Sequence, residues 1–310
     1  MKNMQQRVRR GTRADGIGRA QHETRFTMKS KAKYSIGDVS HICNISKKAL
    51  RYYDNIGIIT SQRQDYNNYR YYTYQSLLAV PVIKYYKQMG FKLEEMRDFI
   101  EGKSPSNVYK AIKNSFTSKI SELEQQQEEI RRKYESVKDW YDLVSEAEMV
   151  IENDIREVSI KYVEASDYMY QDQTFENDIE GSIINIDWTN YVESCQNEIT
   201  GPVILNFSSL KLRMQDKPQG IRILQKTLMP APEEARTKLG GCLMASCYHI
   251  GPHETIHETY AKMCRWAAKC GYILGEETYE RYVTDYWTTR NSSQFVTEIL
   301  IRAARQGATS

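Results

Sequence analysis

Apolar positions recur at steps of three and four through the first half of the chain and at steps of two through much of the second. In 36-IGDVSHICNISKKALRYYDNIGII-59, Ile36, Val39 and Ile42 form one apolar edge, and Ile45, Ala49, Leu50, Tyr53 and Ile56 form the next. This spacing predicts two short helices. Cys43-Asn44 is the turn between them, and Ser46 is the expected N-cap of the second. The stretch 63-RQDYNNYRYYT-73 reads as two short strands with Asn67-Asn68 at their tip. A second helical pair is expected over 75–88 and 93–100.

After Ser104-Pro105-Ser106 the pattern becomes one long helix to about residue 148. Ile120, Leu123, Gln127, Ile130, Tyr134, Val137, Tyr141 and Val144 alternate at steps of three and four, a heptad seam. The seam is narrow and its flanks are charged (Glu124, Glu128, Arg131, Lys133, Glu135, Lys138). A helix–helix partner, hence a homodimer, is expected, with Gln127 helping to fix register.

The remaining half reads as two β-α-β-β repeats. The first takes a strand at 157–164, a helix near 186–198 and strands at 202–207 and 221–228. The second takes a strand at 241–250, a helix at 253–270 and strands at 278–287 and 294–303. Alternation of Phe295, Thr297, Ile299 and Ile301 against Val296, Glu298, Leu300 and Arg302 supports the last. Between the repeats, 230-PAPEEARTKLGG-241 is a loop by composition. The class is α+β. The expected segments are 1–33, 34–103, 104–148, 157–303 and a tail at 304–310.

Composition changes this picture little. No apolar run approaches a membrane span and no secretory signal core is present, so a cytoplasmic protein with no membrane partner is expected. Six cysteines without a C-x-x-C pair read as reduced, structural thiols. Charge is more informative. Residues 1–33 hold ten Lys and Arg against two acids, so this leader carries +8 of a formal net +3 and the rest sums to −5. It has almost no apolar periodicity and is expected to be disordered, either a source of non-specific DNA affinity or, the favoured reading, an extension upstream of a natural start at Met28.

Two helices across a tight turn, with Lys47, Lys48 and Arg51 on the open side of the second, suit a helix-turn-helix that reads the major groove. The runs ALRYYDNIGII, NNYRYYTYQSL and MGFKLEEMRDFI, over residues 34–103, resemble the MerR family of transcription regulators. The long helix extends the likeness to about residue 148. The last half is similar, more weakly, to the GyrI-like drug-binding domain, and the whole architecture to multidrug regulators of the BmrR type.

The resemblance implies a winged helix-turn-helix, an antiparallel coiled-coil dimerisation helix and a GyrI-like effector domain. It implies DNA contacts from Ser46, Lys48, Arg51 and Tyr52, from Tyr69 and Arg70 on the wing, and from Lys87. Tyr53 is expected in the core, Tyr71, Tyr72 and Tyr74 in the packing of the wing, and Lys84 as a solvated charge. Glu280 matches the buried glutamate that the family sets against lipophilic cations, with Tyr282 on the same strand face and Phe295 at a pocket aromatic position. Tyr260, Trp188 and Tyr162 are further effector-site candidates by placement. The implied partners are near-palindromic promoter DNA, RNA polymerase and a lipophilic, cationic effector. Activation is expected by bending and untwisting the promoter. No cysteine lies between residues 44 and 194, so the thiolates of metal-sensing members are missing.

Residues 253–257 read HETIH, the H-E-x-x-H spacing of zinc hydrolases. Gly251-Pro252 places His253 in a first helical turn. Ile256, Tyr260, Met263 and Ala267 define the buried edge, with His253 near it and His257 at its margin. Glu254 and Glu258 turn away as first-turn acids. The expected object is a helix walling a pocket, with no catalytic residue, metal or cofactor assigned. A hydrolase using His253, Glu254 and His257 stands as an alternative, as does a drug-sequestering protein.

Overall fold

A computed structural model describes residues 33–63, 69–100 and 108–306. The expected leader through residue 32, the wing tip Asn67-Asn68 and the Ser104-Pro105-Ser106 helix start lie outside them. The chain divides between Gln125 and Gln126 into two compact units.

In the first unit, β1 (Tyr34–Ser35) leads into α1 (Ile36–Ile42) and α2 (Lys47–Asn55). The strands β2 (Gln62–Arg63) and β3 (Arg70–Tyr72) follow, then α3 (Tyr74–Gln88) and α4 (Leu93–Ile100). Ser35 and Asp38 cap α1 reciprocally, and the Ala49 amide donates to Ser46 Oγ at 3.1 Å to cap α2. Val39, Leu50, Tyr53, Ile59, Val80 and Ile83 share one core. The sheet has one strand more than the sequence suggested: β1 pairs with β3, Tyr34 opposite Tyr72.

The turn between α1 and α2 is held from α3. Lys84, exposed as expected, donates from Nζ to the carbonyls of Cys43 at 2.6 Å and Asn44 at 3.2 Å and so also clips this turn. Pro81, inside α3, has no N–H to offer the Leu77 carbonyl, and the Cys43 thiol stands 3.9 Å from that oxygen. Asn44 takes the left-handed conformation, φ 46°, that Asn tolerates better than most residues.

The long helix α5 (Val108–Glu152) runs on through the division at Gln125. Phe116 anchors its start, stacked on Tyr86 and edge-on to Phe91. Its seam is exposed: the apolar members from Ile120 to Val144 keep 46–70 % of their surface. An opposite stripe, Leu143, Ala147 and Val150, is buried with Val283 and Val296 of the second unit. One helix therefore carries two apolar faces, and among the described residues only one is covered.

The second unit is one antiparallel sheet. Its elements are β4 (Ser159–Val163), β5 (Ser166–Phe175), α6 (Ile179–Ile183), α7 (Ile186–Ser194), β6 (Ile199–Phe207), α8 (Leu210–Arg213) and β7 (Gln219–Thr227). Then come β8 (Arg236–Leu239), β9 (Cys242–Ile250), α9 (Ile256–Cys270), β10 (Tyr272–Thr284) and β11 (Val296–Arg305). The strand order is β4-β9-β11-β10-β6-β7-β5-β8. Two matching repeats, β5-α7-β6-β7 and β9-α9-β10-β11, meet where β6 pairs with β10, Glu280 opposite Leu205.

Two expectations are corrected here. β5, not the strand at 157–164, opens the first repeat. Its sequence SDYMYQDQTF buries only Met169 and Phe175, so its alternation was too weak to read. The expected loop 230–241 contains a strand, β8, of which only Leu239 is buried. The extra strands change sides: β4 precedes the first repeat but pairs with β9 of the second, and β8 precedes the second but pairs with β5 of the first. Gly240 turns β8 into β9 at φ 104°, and a Cβ there would lie 2.2 Å from the Glu164 carbonyl oxygen.

Helices α7 and α9 cover one face of this sheet. Trp188 and Val192 pack with Leu205, Phe207 and Ile223, and Ile256, Tyr260 and Met263 pack with Cys247, Ile299 and Ile301. The second half of α5 lies on the other face. No helix among the described residues is long and apolar enough to cross a membrane.

Candidate functional site

The first unit presents α2 outward. Ser46, Lys48, Arg51 and Tyr52 are exposed, while Leu50 and Tyr53 on its opposite side are buried. Lys87 is exposed in the last turn of α3, and Tyr69 is exposed just before β3. Arg70 has a structural partner as well: its Nε donates to Asp54 Oδ2 at 2.7 Å, which ties the wing to α2. Asp54 also accepts from the Ser61 amide at 2.9 Å. Burial pushes its pKa up, but the hydrogen bonds from Arg70 and Ser61 and the Arg70 charge outweigh burial and leave it lowered.

In the second unit, Glu280 sits where the two repeats join and is 0 % exposed. Its carboxylate is fully engaged. Arg213 donates Nε to Oε1 at 2.7 Å and an Nη2 hydrogen to Oε2 at 3.3 Å. The Tyr260 hydroxyl donates to Oε1 at 2.7 Å, and the Tyr282 hydroxyl to Oε2 at 2.6 Å. Thr278 Oγ1 stands 3.1 Å from the Tyr260 oxygen. Burial alone would raise the Glu280 pKa, but the Arg213 charge and these hydrogen bonds hold it below its usual range. The two tyrosines are pushed well above theirs, by burial first and then by the Glu280 charge.

Arg213 is the residue that sequence reasoning missed. It ends α8 in the polar run SSLKLRMQDK, which reads as a solvated connection. Instead its side chain is buried, with the guanidinium 4.7 Å from the Phe207 ring centre and 5.4 Å from that of Phe175. The buried glutamate that the resemblance sets against lipophilic cations is therefore paired with an internal cation, and the two carry no net charge together.

The other candidates divide. Phe295 stacks on His253 at 5.1 Å, and His253 is edge-on to Tyr282 at 5.2 Å, so both lie beside the ion pair. Tyr286 completes this cluster, 4.8 Å from Phe295. Trp188 shares a core with Tyr282, but its Nε1 donates to Gln225 Oε1 at 3.0 Å, so its polar atom is already satisfied. Tyr162 does not belong: it lies on the terminal strand β4 and is 56 % exposed.

The H-E-x-x-H residues do not converge. His253 begins a 3₁₀ turn and is 3 % exposed, and neither of its ring nitrogens has a hydrogen-bond partner. Burial lowers its pKa to about 4, against the pull of Glu280. His257 is exposed, with Nδ1 3.0 Å from the Glu254 carbonyl oxygen. Among the described residues no three His, Cys, Asp or Glu side chains are grouped to hold a metal ion. The expected buried edge of the helix, Ile256, Tyr260, Met263 and Ala267, is the one observed.

On the reverse face, Arg281 donates Nε to Glu298 Oε2 at 2.8 Å and also grips Glu146 of α5 through both terminal nitrogens. The Tyr248 hydroxyl donates to Glu146 Oε1 at 2.8 Å, and Ser246 and Lys161 donate to Glu298. Burial would raise the Glu298 pKa, but the charges of Arg281 and Lys161 keep it lowered. Two surface grooves lie elsewhere. Open grooves of ≈ 640 and ≈ 570 Å³ run beside α5, lined by residues such as Val137 and Val192 or Asp139 and Thr200, away from Glu280.

Comparison with known proteins agrees with this division. Residues 35–72 match the MerR family regulatory protein model, and residues 156–304 match the GyrI-like small molecule binding domain. The multidrug-efflux transporter 2 regulator of Bacillus subtilis is 23 % identical over 298 residues, 88 % of this chain and 97 % of that protein. The HTH-type transcriptional regulator CueR of Escherichia coli O6:H1 is 32 % identical over 31 % of this chain and 73 % of its own length. A cryo-EM structure of an EcmrR–DNA complex aligns with a TM-score of 0.42 at 17 % identity, covering 88 % of this chain and all of that one. The exposed α2, the wing and the sheet with its enclosed polar site thus have one explanation: the chain belongs to the MerR family of DNA-binding transcription regulators and carries a GyrI-like small-molecule-binding domain.

Proposed function

We propose that this regulator is a cytoplasmic homodimeric activator. It grips near-palindromic promoter DNA and, on binding a lipophilic cation at Glu280, reshapes the promoter for RNA polymerase. One observation carries the reading. The same helix, α5, offers an uncovered heptad seam on one side and, through Glu146, reaches the ion-pair network behind Glu280 on the other. An effector that changes the Glu280 face of β10 acts on Arg281, the next residue, and so on the helix that spaces two subunits. Pairing of two α5 seams, in the antiparallel sense that the resemblance implies, sets the distance between two α2 surfaces. Ser46, Lys48, Arg51, Tyr52, Tyr69 and Lys87 are the proposed DNA contacts, with Arg70 bracing the wing and contacting phosphate through its remaining donors. Glu280, Tyr282, Tyr260 and Phe295 are the proposed effector residues.

No chemical step is needed. The divergence of His253 and His257 supports a non-catalytic reading of HETIH, and the multidrug regulator similarity supports a small-molecule signal. The test is transcription in vitro from the regulator's own promoter region across a panel of lipophilic cations. Effector-dependent transcripts are expected. The reading fails if the protein shows no salt-resistant preference for a dyad-bearing fragment over scrambled DNA.

A further inference from the structure

We propose that Arg213 is a tethered stand-in for the effector's cation, and that a lipophilic cation enters the site by displacing it. This rests on the reading of Glu280 as the effector site.

The surroundings of the guanidinium are those a lipophilic cation needs: a buried carboxylate and two aromatic rings, Phe207 at 4.7 Å and Phe175 at 5.4 Å. With Arg213 in place the cage is neutral. A second cation added beside it would leave an uncompensated positive charge in a dry interior. An anion would meet Glu280 and find the Nε and Nη2 groups of Arg213 already committed to it. Exchange of one cation for another is the event that keeps the site neutral.

Arg213 also has somewhere to go. Its Nη1 donates to Asp216 Oδ1 at 2.8 Å, and the Asp216 side chain is 57 % exposed. A displaced guanidinium can stay paired with Asp216 at the surface. Both residues lie in the short connection from β6 to β7, so the swap needs no strand to move. The Tyr260 and Tyr282 hydroxyls remain on Glu280 throughout. Beside them His253, its two ring nitrogens buried and unpartnered, offers hydrogen bonding to a polar group of the newcomer. A competitor for a tethered guanidinium must add apolar contact to its charge, which small ammonium ions cannot do.

The test is calorimetric titration of tetraphenylphosphonium into the full-length wild type, Arg213→Gln, Arg213→Lys and Glu280→Gln. Removing the internal competitor should tighten binding about tenfold or more in Arg213→Gln. Arg213→Lys, which keeps the charge but not the two-point grip, should tighten it by about threefold. That variant decides the matter if Arg213→Gln does not fold. Glu280→Gln should bind weakly. If both Arg213 variants bind no tighter than wild type while Glu280→Gln still loses affinity, the stand-in role is overturned and the effector site survives. If Glu280→Gln binds as well as wild type, both fall.

Discussion

Glu280 and Arg281 are consecutive residues on β10 and carry opposite charges to opposite faces of one sheet. Glu280 is closed by Arg213, Tyr260 and Tyr282, and Arg281 by Glu298 and by Glu146 of α5. Strand geometry makes this obligatory, since successive side chains alternate. A change in what holds Glu280 is one peptide away from what holds α5. Glu146→Gln should therefore leave effector affinity within about twofold of wild type but blunt effector-dependent transcription, at a stability loss of about 1–3 kcal/mol. Paired binding and transcription assays check this, and equal loss in both would count against it.

The seam of α5 is exposed in the single chain, so charge placed there should spare the fold and break the dimer. Ile130→Glu with Val137→Glu should raise the dimer dissociation constant by about a hundredfold or more. Sedimentation would read the mass and circular dichroism the fold. A double variant that remains a tight dimer would show that the seam is not the interface.

Arg51 and Arg70 should behave differently on substitution by Ala. Arg51 is exposed on α2, and losing it should cost about 1–3 kcal/mol of specific DNA binding with little change in melting temperature. Arg70 braces Asp54, so its loss should lower both affinity and melting temperature. Thermal melts and DNA titrations at fixed salt separate the two; equal melting temperatures would remove the bracing role from Arg70.

Two buried groups of the second unit should give opposite pH slopes. His253 has its pKa lowered by burial from 6.5 to about 4. Its folded form binds fewer protons than the unfolded chain, so it removes stability as pH falls from about 6.5 to 4, by about 3 kcal/mol in all. The depressed pKa of His249 acts in the same direction. Asp285 has its pKa raised by burial from 3.8 to about 6, despite accepting from the Trp287 amide. It adds a similar amount of stability as pH falls from about 6 to 3.8. In the wild type these slopes oppose each other. In Asp285→Asn the gain is gone, and denaturant unfolding should show a steeper loss of stability from pH 6.5 to 4 than wild type. An unchanged slope would mean that Asp285 is not held protonated.

Much of this architecture was legible because the periodic signals were long. The seam of α5, the buried edge of α9 and the helix pair α3–α4 all follow from apolar spacing alone. The strands β5 and β8 did not, because each buries little and lies toward the sheet edge, where polar residues are tolerated on both faces. Glu280 could be singled out only through the family resemblance; the structure buries it beneath the Tyr260 and Tyr282 hydroxyls. Arg213 could not. A basic residue in a polar connection reads as solvated, and only the closure of β6 against β10 brings it to the carboxylate. The clip made by Lys84 was hidden for the same reason, since the carbonyls it holds are about forty residues away.

The crossed outer strands have a consequence for how the second unit is made. Val163 pairs with Cys242, so β4 leaves the ribosome about eighty residues before its partner exists. The first repeat, meanwhile, receives its last strand from the segment that introduces the second. The second repeat is complete only with a strand made before the first repeat began. Closing the outer edge of the sheet therefore waits on a pairing about eighty residues apart, the slower kind to form.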